Sequence, residues 1–590
     1  MRNSESARER KRTSSHRKNG QDSLRFISLG GLGEIGKNMY LIEYGEEILI
    51  IDSGLKFPDE EMLGIDFVIP DISYLVENKH RIVGAIITHG HEDHTGALGF
   101  VLPKLDIPIF ATRLTLAMIA HKLEEAAPTY KVKATEIKAG ETIALGSFSV
   151  RFMAVCHSIP DGVGLAVKTP LGTIVHTGDF KLDPTPIDGR LTDYGGFADV
   201  GREGVLLMLS DSTNVERKGF TLSEHVLSGT LEKIFRLHRN RRIVVSSFAS
   251  NLHRVQQVAD VAARFNRKIA FIGRSMVGNV ELARELGYLN IDEKMLVPMD
   301  EIGRIAPNQL VVMTTGSQGE PFSGLVLMSK GEHRQITLGE RDLVAVFATP
   351  IPGNEKLVSN TINRLFARGC EVMYESDSEI HVSGHASREE LKLMLNLVRP
   401  RYFVPVHGEY RHLVRHAQLA EEVGIPARNT FVMQIGDVLT ITEKKAQVKD
   451  RVQAGGILVD GIAFGELEGS ILKERRELAE DGVIALSATL DSSGMLAADP
   501  VVESQGFLHM EDAETLRSEI VAAVRQGIAE MRGLGSLETE GLCQKIRTRV
   551  RDVVRRYSKS RPAIMTLISA AGEQPSFPQK ASPAKGRRRR

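Results

Sequence analysis

The segment that most constrains this chain is Thr88-His89-Gly90-His91-Glu92-Asp93-His94, in which three histidines and an aspartate fall within six residues. It follows an apolar, β-branched run at residues 82–87 that predicts a buried strand, so the polar side chains are expected in the loop at the strand's C-terminal end. Imidazole suits zinc, manganese and similar ions, and a carboxylate adds an oxygen ligand. A chance cluster in a polar loop is the alternative, and it is disfavoured because such a set is costly to hold together without an ion.

The bulk composition is that of an ordinary globular protein with several domains. A length of 590 residues exceeds one hydrophobic core and suggests about three domains. No apolar run reaches the roughly 18 residues of a membrane span, and no apolar signal region begins the chain. Cys156, Cys370 and Cys543 are widely spaced and predict neither a disulfide framework nor a Cys-x-x-Cys metal site. These features favour a cytoplasmic location and no membrane partner.

The net charge of zero conceals two basic ends. Residues 1–18 hold seven Lys or Arg against two acids, residues 580–590 hold six against none, and the remainder carries a net charge of −11. Both ends lack apolar periodicity, so residues 1–22 and 570–590 are predicted to be disordered basic tails. Such tails can bind phosphate backbones non-specifically, but they also occur on proteins that never contact nucleic acid.

A glycine-rich segment near the N-terminus contains a literal Gly-x-Gly-x-x-Gly between Gly31 and Gly36. A dinucleotide fingerprint requires a helix directly after the glycines. Two further strand-like runs follow here instead, at residues 39–44 and 47–51. The sequence therefore predicts a tight turn between antiparallel strands and no nicotinamide site.

Further candidate ligands stand at the ends of predicted strands. Asp52 closes the run at residues 47–51, where it either orients a ligand or only turns the chain. His157 follows a strand-like run, and Asp179 follows another. Because the ends of neighbouring strands meet along one sheet edge, these side chains are expected to join the histidine cluster. The alternation of strands and helices indicates an αββα sandwich.

A different α/β pattern interrupts this arrangement for roughly 160 residues after Ser210-Asp211-Ser212-Thr213-Asn214. Its strands run into turns rich in Ser, Gly and Asn, which is typical of a doubly wound domain that binds a ligand at strand ends. Such loops offer donors to phosphate, although simple connections explain most of them individually. Histidines then return at strand ends as His381, His385 and His407. His407 supplies the last ligand that a two-metal site needs in addition to the histidine cluster, His157 and Asp179.

Five motifs together resemble the β-CASP subgroup of the metallo-β-lactamase superfamily and, within it, the bacterial ribonuclease J family. They are Gly-Gly-Leu-Gly-Glu-Ile-Gly-Lys-Asn from Gly30, His-Gly-His-Glu-Asp-His from His89, Ser-Phe-Ala-Ser-Asn from Ser247, Thr-Gly-Ser-Gln-Gly-Glu-Pro from Thr315 and His-Val-Ser-Gly-His-Ala-Ser from His381. The resemblance extends over about residues 24–565. It implies an α/β protein: an αββα metallo-β-lactamase sandwich with an inserted doubly wound α/β (β-CASP) domain and a small C-terminal α+β domain. The expected boundaries are 23–213 and 376–460 for the sandwich and its linker, 214–375 for the insertion and 461–569 for the last domain.

The resemblance also implies roles for individual residues. It assigns His89, His91 and His157 to one metal, and Asp93, His94 and His407 to a second, with Asp179 bridging the two. Asp211 and His385 match the family's proton-transfer pair. The loops that match segments contacting RNA and its 5′ phosphate comprise Phe248, Ala249, Ser250 and Asn251, and His381, Val382, Ser383, Gly384 and His385. Leu63, Ile65 and Asp460 match positions that hold a structural divalent ion.

The function implied by the resemblance is that of a two-metal phosphodiester hydrolase acting on RNA. Expected activities are 5′→3′ exonuclease action that prefers 5′-monophosphorylated single-stranded RNA, together with endonuclease action, in mRNA decay and rRNA maturation. The expected cofactors are two divalent metals, zinc or manganese with magnesium as an alternative, and a structural calcium. Expected partners are RNA, a second or further copies of the chain as a homodimer or homotetramer, and other RNA-decay proteins. Two alternatives stay open: a catalytically idle RNA-binding subunit, and a metallohydrolase of small esters.

The segment after about residue 461 has helical periodicity at 512–531 and 538–557, followed by a strand at 563–568. The second of these helices is rich in Lys and Arg, which indicates either an RNA-binding face or a solvated one. In the family that this chain resembles, the corresponding domain supports dimerisation.

Overall fold

The structure is a computed structural model, and it describes residues 23–59, 61–351, 353–374, 382–461, 469–508, 513–531 and 539–570. His381 and the predicted tails, apart from Ala570, lie outside the described residues. The chain divides into two compact units. The first comprises Met1–Asp59 and Ile65–Phe464, and the second comprises Glu60–Gly64 and Gly465–Arg590.

The first unit contains strands β1–β23 and helices α1–α12. The strands are β1 (Leu24–Gly30), β2 (Leu32–Gly33), β3 (Met39–Tyr44), β4 (Glu47–Ile51), β5 (Phe67–Pro70), β6 (Ile82–Ile86), β7 (Ile109–Ala111), β8 (Ala134–Glu136), β9 (Thr142–Leu145), β10 (Phe148–Ala154), β11 (Val163–Thr169), β12 (Gly172–His176), β13 (Val205–Asp211), β14 (Arg242–Ser246), β15 (Lys268–Ile272), β16 (Leu310–Thr314), β17 (Asp342–Val346), β18 (Glu371–Met373), β19 (Tyr402–Val406), β20 (Gly408–Glu409), β21 (Asp437–Ile441), β22 (Ala446–Arg451) and β23 (Gly456–Val459). The helices are α1 (Ser73–Glu77), α2 (Glu92–Thr95), α3 (Leu98–Leu105), α4 (Arg113–Ala126), α5 (Tyr194–Glu203), α6 (His225–Leu237), α7 (Leu252–Arg264), α8 (Arg274–Glu285), α9 (Gly324–Lys330), α10 (Glu355–Ala367), α11 (Arg388–Val398) and α12 (Tyr410–Glu422). Short 3₁₀ turns lie at Lys79–Arg81, Glu293–Met295, Met299–Arg304, Pro307–Gln309 and Ala427–Asn429.

Two sheets pack face to face and form the sandwich that the alternating pattern predicts. The larger has the order β22-β21-β1-β3-β4-β6-β7-β8, and the smaller has the order β19-β13-β12-β11-β10-β9. Their facing side chains form one core, in which Phe26 and Ile42 of the first sheet join Phe152 and Leu207 of the second. Helices cover the outer faces, so alternate residues such as Ile27 are buried on the other side of the strand. Burial on both faces explains why these strands read as continuous apolar runs.

The insertion is a separate parallel sheet with the order β15-β16-β14-β17-β18. Hydrophobic cores lie on both of its faces, as a doubly wound domain requires. The chain leaves the sandwich after β13 and returns to it at β19, which pairs in parallel with β13 through Leu207 and Tyr402. Two adjacent strands of the sandwich are therefore connected through the whole inserted domain, and the predicted fold class is confirmed.

The glycine-rich turn and helix α3 are two local features of the sandwich. β1 and β3 pair antiparallel around the glycine-rich turn and no helix follows the glycines, in agreement with the predicted turn. Helix α3 contains Pro103 and continues to Leu105. Pro103 is exposed while Leu102 and Leu105 are buried, so the two helical residues after Pro103 add the apolar contact of Leu105 without placing the proline ring in the core.

The second unit is a small α+β domain. It contains α13 (Gly469–Asp481), β24 (Val483–Leu490), β25 (Val501–Gln505), α14 (Glu514–Met531), α15 (Thr539–Tyr557) and β26 (Ala563–Ala570). Its sheet has the order β25-β24-β26 and packs against α14 and α15 through its own hydrophobic core. Two cations of the basic helix α15, Lys545 and Arg556, pair with Glu530 and Glu519 of α14, which favours a solvated helix face over a free RNA-binding one.

Among the described residues, no helix combines the length and apolar composition needed to cross a membrane.

Candidate metal centre and active site

Seven side chains predicted to bind metal converge at one edge of the sandwich. His89 and His91 follow β6, and Asp93 and His94 lie on the short helix α2. His157, Asp179 and His407 follow β10, β12 and β19. Apart from His91 and Asp93, which are partly exposed, all of them are buried. The structure therefore brings together the residues that the strand-end pattern selected, although His407 is 228 positions away from Asp179 in the sequence.

Three histidines form the first candidate metal-binding group. The Nδ1 atom of His91 lies 3.1 Å from Nε2 of His89 and 3.1 Å from Nε2 of His157. Burial and the neighbouring imidazoles lower the pKa of His89 and of His157, and burial lowers the pKa of His91 to about 4. These imidazoles are therefore neutral at neutral pH, and each neutral ring keeps a lone pair for a metal ion.

A carboxylate-rich set forms the second candidate group, comprising Asp93, His94, Asp179 and His407. The Oδ2 atom of Asp179 lies 3.2 Å from Nε2 of His94 and 3.4 Å from Nε2 of His407. The same oxygen lies 3.8 Å from Nε2 of His89 and 3.8 Å from Nε2 of His157. Burial alone would raise the pKa of Asp179, but His407 and His94 hold it well below its ordinary value. A single carboxylate oxygen thus faces both candidate groups.

Hydrogen bonds from outside the cluster orient three of its imidazoles. His94 Nδ1 lies 2.7 Å from Asp52 Oδ2, and His407 Nδ1 lies 3.0 Å from Asn38 Oδ1. His157 Nδ1 lies 2.7 Å from the carbonyl oxygen of Gly384. In each case the outer nitrogen has an acceptor, which leaves Nε2 to face the centre of the cluster. This is the arrangement of histidines that bind metal, so the donor set fits two divalent cations.

The backbone around the cluster is strained and tightly packed. Asp52 and His407 have φ angles of 63° and 52°, in the left-handed region that residues other than glycine rarely adopt. A Cβ atom on Gly54 would lie 1.6 Å from the carbonyl oxygen of Asp93, so only glycine permits this approach. Gly31 is required for a similar reason, because a Cβ there would lie 2.3 Å from Asn38 Oδ1. The glycine-rich turn predicted from the sequence thus places the side chain that orients His407.

Asp211 and His385 form a direct pair beside the candidate metal centre. Nδ1 of His385 lies 2.7 Å from Asp211 Oδ2 and 3.9 Å from Asp179 Oδ2. Burial alone would lower the pKa of His385, but Asp211 and the other carboxylates raise it to about 9. The ring also lies between His157 and His407, with centroid distances of 4.9 Å and 5.5 Å. His385, Asp211, Asp179 and His407 also form a third group able to hold a metal, so geometry alone permits two roles for His385.

Asn214 holds the segment around His385 in place, and the sequence reasoning did not select it. Its amide donates to Ser383 Oγ at 2.7 Å and to the carbonyl oxygen of His385 at 3.0 Å. Thr221 donates to the same carbonyl at 2.8 Å. The position of Asn214 at the end of the Ser-Asp-Ser-Thr-Asn run was the only available signal. Gly384 is required here because a Cβ would lie 2.7 Å from Cε1 of His157.

The predicted RNA-binding loop at residues 248–251 connects β14 with α7. The Asn251 side chain accepts the backbone N–H of Arg254 at 3.1 Å and so caps α7, while the Ala249 carbonyl accepts from Asn279 at 3.1 Å. Leu252 shares a hydrophobic core with Ile159, two residues after His157. The loop therefore lies on the side of the inserted domain that packs against the metal-binding segment. No hydrogen bond between described residues joins it to residues 382–385, and the joint phosphate pocket stays a prediction.

A buried ion network that sequence reasoning missed connects the sandwich with the inserted domain. Glu224, at the start of α6, lies 3.4 Å from Lys181 Nζ and 2.9 Å from Arg254 Nη2. Lys181 also lies 3.6 Å from Asp183, and these four side chains are at most 2% exposed. Lys181 follows Asp179 by two residues and Arg254 follows Asn251 by three. The network therefore joins the segment of the central carboxylate to the segment of the substrate loop.

Leu63, Ile65 and Asp460 are the residues predicted to hold a structural ion. Leu63 belongs to the second unit, where its carbonyl accepts from Arg475 at 2.9 Å, whereas Ile65 and Asp460 belong to the first. Leu63, Ile65 and Asp460 stay a prediction as ion ligands.

Comparisons with known protein families match most of the chain. Residues 32–213 match the metallo-beta-lactamase superfamily, and residues 240–365 match the ribonuclease J beta-CASP domain. Residues 372–430 match the Zn-dependent metallo-hydrolase RNA specificity domain, and residues 470–571 match the ribonuclease J C-terminal domain.

Curated relatives match over nearly the full length. The chain is 39% identical to ribonuclease J2 of Bacillus subtilis, with 94% of this chain and 99% of the relative covered. It is 44% identical to ribonuclease J 1 of Streptococcus pyogenes, with 84% and 88% covered. A crystal structure of a protein of unknown function from Enterococcus faecalis covers 71% of this chain and 100% of its own, with a TM-score of 0.53 and 16% identity, and it supports the fold alone.

Proposed function

This chain belongs to the ribonuclease J family and is a metal-dependent ribonuclease, and from this premise we propose that it degrades RNA in the 5′→3′ direction from a 5′-monophosphorylated end. We propose endonuclease action as a second activity of the same site. The biological setting we propose is mRNA decay and rRNA maturation in the cytoplasm.

The observation that carries the proposal is the position of Asp179 Oδ2, which faces Nε2 of His94, His407, His89 and His157 within 3.8 Å. A carboxylate in this position can bridge two cations. We assign one metal to His89, His91 and His157, and the other to Asp93, His94 and His407, with Asp179 shared. Two bound divalent ions would supply an activated water for in-line attack on a phosphodiester and neutralise charge on the phosphoryl oxygens. The imidazole-rich donor set favours zinc or manganese, with magnesium as an alternative.

His385 is assigned to proton transfer and Asp211 to its orientation. The 2.7 Å contact with Asp211 fixes the imidazole ring, and although burial lowers the pKa of His385, Asp211 and the neighbouring carboxylates raise it to about 9. A protonated imidazole can donate to the 3′ oxygen that leaves when the phosphodiester breaks. The role of Asp211 is thus to keep the proton on His385 and the ring in one orientation.

The 5′ end is assigned to the loops at residues 248–251 and 381–385. Ser250 and Ser383 offer hydroxyl groups, the amide of Asn251 offers N–H donors, and the backbone near Gly384 lies beside His157. A pocket for one terminal phosphate fixes which bond reaches the metal centre, and successive cleavage then releases mononucleotides. Phe248, Ala249 and Val382 are assigned to the walls of this pocket.

Other assignments follow the same premise. We propose the domain boundaries 23–213, 214–375, 376–460 and 461–569, with basic tails at 1–22 and 570–590. The further assignments are a homodimer or homotetramer, contacts with other RNA-decay proteins, and a structural calcium ion held by Leu63, Ile65 and Asp460.

A catalytically idle RNA-binding subunit would be expected to lack ligands, whereas this chain keeps all seven. A metallohydrolase of small esters has no need of the inserted domain or of the segment at residues 381–385.

The direction of attack is tested with one RNA prepared with a 5′-monophosphate, a 5′-triphosphate or a 5′-hydroxyl, labelled at the 5′ or the 3′ end and incubated with Mn²⁺ or Mg²⁺. The monophosphate should be degraded fastest. Two additional phosphoryl groups would not fit the pocket, and a hydroxyl would leave its donors unpaired. Mononucleotides should appear from the 5′ label before the 3′-labelled RNA shortens into fragments. Equal rates for all three ends, with early internal fragments, would contradict the end-phosphate pocket.

A further inference from the structure

We infer that Phe322 is a stacking platform for a nucleobase of the RNA strand, an inference that rests on the proposed function. Its side chain is 84% exposed, the highest exposure among the large hydrophobic residues described. Its φ angle is 66°, in the left-handed region that is unfavourable for a bulky side chain. An exposed aromatic ring on a strained backbone contributes nothing to the core, and its face is available to a ligand.

The loop that carries Phe322 lies beside the loop assigned to the 5′ end. Strands β14 and β16 are parallel neighbours, with Ser246 opposite Thr314. The backbone N–H of Ser247 donates to the carbonyl of Thr314 at 3.1 Å, at the point where both strands end. Since the carboxyl ends of parallel strands meet at one edge, residues 248–251 and 315–323 emerge side by side. A strand of RNA that passes the first loop is therefore expected to reach the second.

Hydrogen bonds and close packing hold the backbone of the loop just before Phe322. Gln318 is buried, and its side chain donates to the Thr349 carbonyl at 3.0 Å and accepts from the Ile351 N–H at 2.7 Å. Glu320 accepts the Gln318 N–H at 3.1 Å. A Cβ on Gly319 would lie 2.7 Å from the backbone of Leu357, so the loop is packed closely against α10. A loop held in this way presents Phe322 from an ordered backbone, so less conformational entropy is lost when a base stacks on its ring.

A cation lies at the same sheet edge. Arg274 begins α8 directly after β15, and β15 is the parallel neighbour of β16. Its side chain is exposed and forms no ion pair with any residue that the structure describes. An exposed cation that can meet the phosphate backbone, together with an aromatic ring that can meet a base, is the combination used to bind single-stranded nucleic acid without base-specific hydrogen bonds. We therefore expect the contact at Phe322 to tolerate any base.

The chain contains no tryptophan, so Phe322→Trp introduces a unique fluorophore at this position. Phe366→Trp is the matched control, because Phe366 is 50% exposed and lies near the C-terminal end of α10. This end of α10 precedes β18, so it lies at the amino ends of the parallel strands, opposite the carboxyl ends that carry Phe322. Both variants are titrated, as metal-loaded full-length protein, with a 5′-monophosphorylated phosphorothioate RNA that resists hydrolysis. Saturable quenching at position 322 and no change at position 366 is the expected result. Equal fluorescence changes at both positions would overturn the inference. A fluorescence change at position 322 that depends on protein concentration and not on RNA concentration would also overturn it, and would indicate contact between copies of the chain.

Steady-state hydrolysis provides the second test. Phe322→Ala should raise KM for single-stranded RNA about tenfold, in the range found when a base-stacking aromatic is removed. Phe322→Tyr should keep a KM near the wild-type value, whereas Phe322→Leu, which is apolar but lacks an aromatic face, should resemble the alanine variant. Wild type should bind RNA with an abasic site at the contacted position more weakly than intact RNA. Phe322→Ala should bind the two RNAs with equal affinity. If Phe322→Ala has an unchanged KM and the wild type hydrolyses RNA, the stacking platform is refuted and the proposed function is still supported. If the metal-loaded wild type does not hydrolyse RNA, the stacking platform and the proposed function are both refuted.

Discussion

His94 and Asp52 are joined by a 2.7 Å hydrogen bond between Nδ1 of the imidazole and Oδ2 of the carboxylate. Asp52 also accepts the backbone N–H of Thr88 at 2.8 Å and the Thr88 hydroxyl at 3.0 Å. One buried carboxylate thus holds the histidine and the start of the loop that carries His89 and His91. The carboxylate fixes the ring of His94 so that Nε2 faces Asp179, which makes Asp52 a positioning residue of the metal centre.

Asp52→Asn should weaken metal binding about 10- to 100-fold, the usual effect of losing a partner of a ligating histidine. Asparagine tolerates the left-handed conformation at this position, so the fold should persist. Zinc or manganese affinity is measured by competition with a chelator. Asp71→Asn is the control and should bind metal as wild type does, because it removes a carboxylate that accepts the backbone N–H and the hydroxyl of Ser73 in a partly exposed turn. Equal affinities for both variants would show that Asp52 does not position the ligand.

His91→Ala should abolish hydrolysis and lower metal content while the fold is retained. His91 is partly exposed in a loop, so its side chain contributes to ion binding more than to the core. Metal analysis of the purified variant and its circular dichroism spectrum are the measurements. The exposed His80, on a 3₁₀ turn away from the cluster, offers a matched His80→Ala control with normal metal content. A variant at position 91 that lost metal but kept full activity would eliminate the two-metal assignment.

His385→Ala should reduce kcat by about 10²–10⁴-fold with both metals retained, as expected for loss of a general acid. Asp211→Asn should act in the same direction, because the carboxylate orients the imidazole and raises its pKa. The double variant should be little worse than His385→Ala, since both changes remove one function. Loss of metal from His385→Ala would instead reassign this residue to the third ligand group that it forms with Asp179 and His407.

Arg254→Met should lower the thermal unfolding temperature markedly. Removal of one partner from a buried ion pair costs roughly 3–5 kcal/mol, and the lower end is expected because Lys181 still faces Glu224. Arg264→Met is the control on the same helix: that guanidinium is 61% exposed and 3.5 Å from Glu232, and exposed pairs contribute about 0–1 kcal/mol. Differential scanning calorimetry of the two variants makes the comparison. Similar unfolding temperatures would mean that the network does not stabilise the contact between sandwich and insertion.

The local part of the metal centre was predictable because it depends on short-range patterns. His89, His91, Asp93 and His94 are close in sequence, and the apolar run before them predicts the strand that positions them. The same reasoning placed His157, Asp179 and His407 at strand ends, and the glycine-rich segment in a turn. Strand-end loops are recognisable because an apolar, β-branched run ends at polar residues. This signal requires no knowledge of which strands are neighbours.

Contacts between distant segments could not be derived from these patterns. The sequence by itself determined which residue types stand at which strand ends, because periodicity and turn chemistry are local properties of the chain. Only the tertiary structure decided that β13 and β19 are neighbours across the inserted domain, that Asp179 Oδ2 faces four imidazoles, and that Glu224 joins Lys181 to Arg254. Buried Lys, Glu and Arg have no local signature, because their burial is favourable only when partners from other segments arrive to compensate for lost hydration.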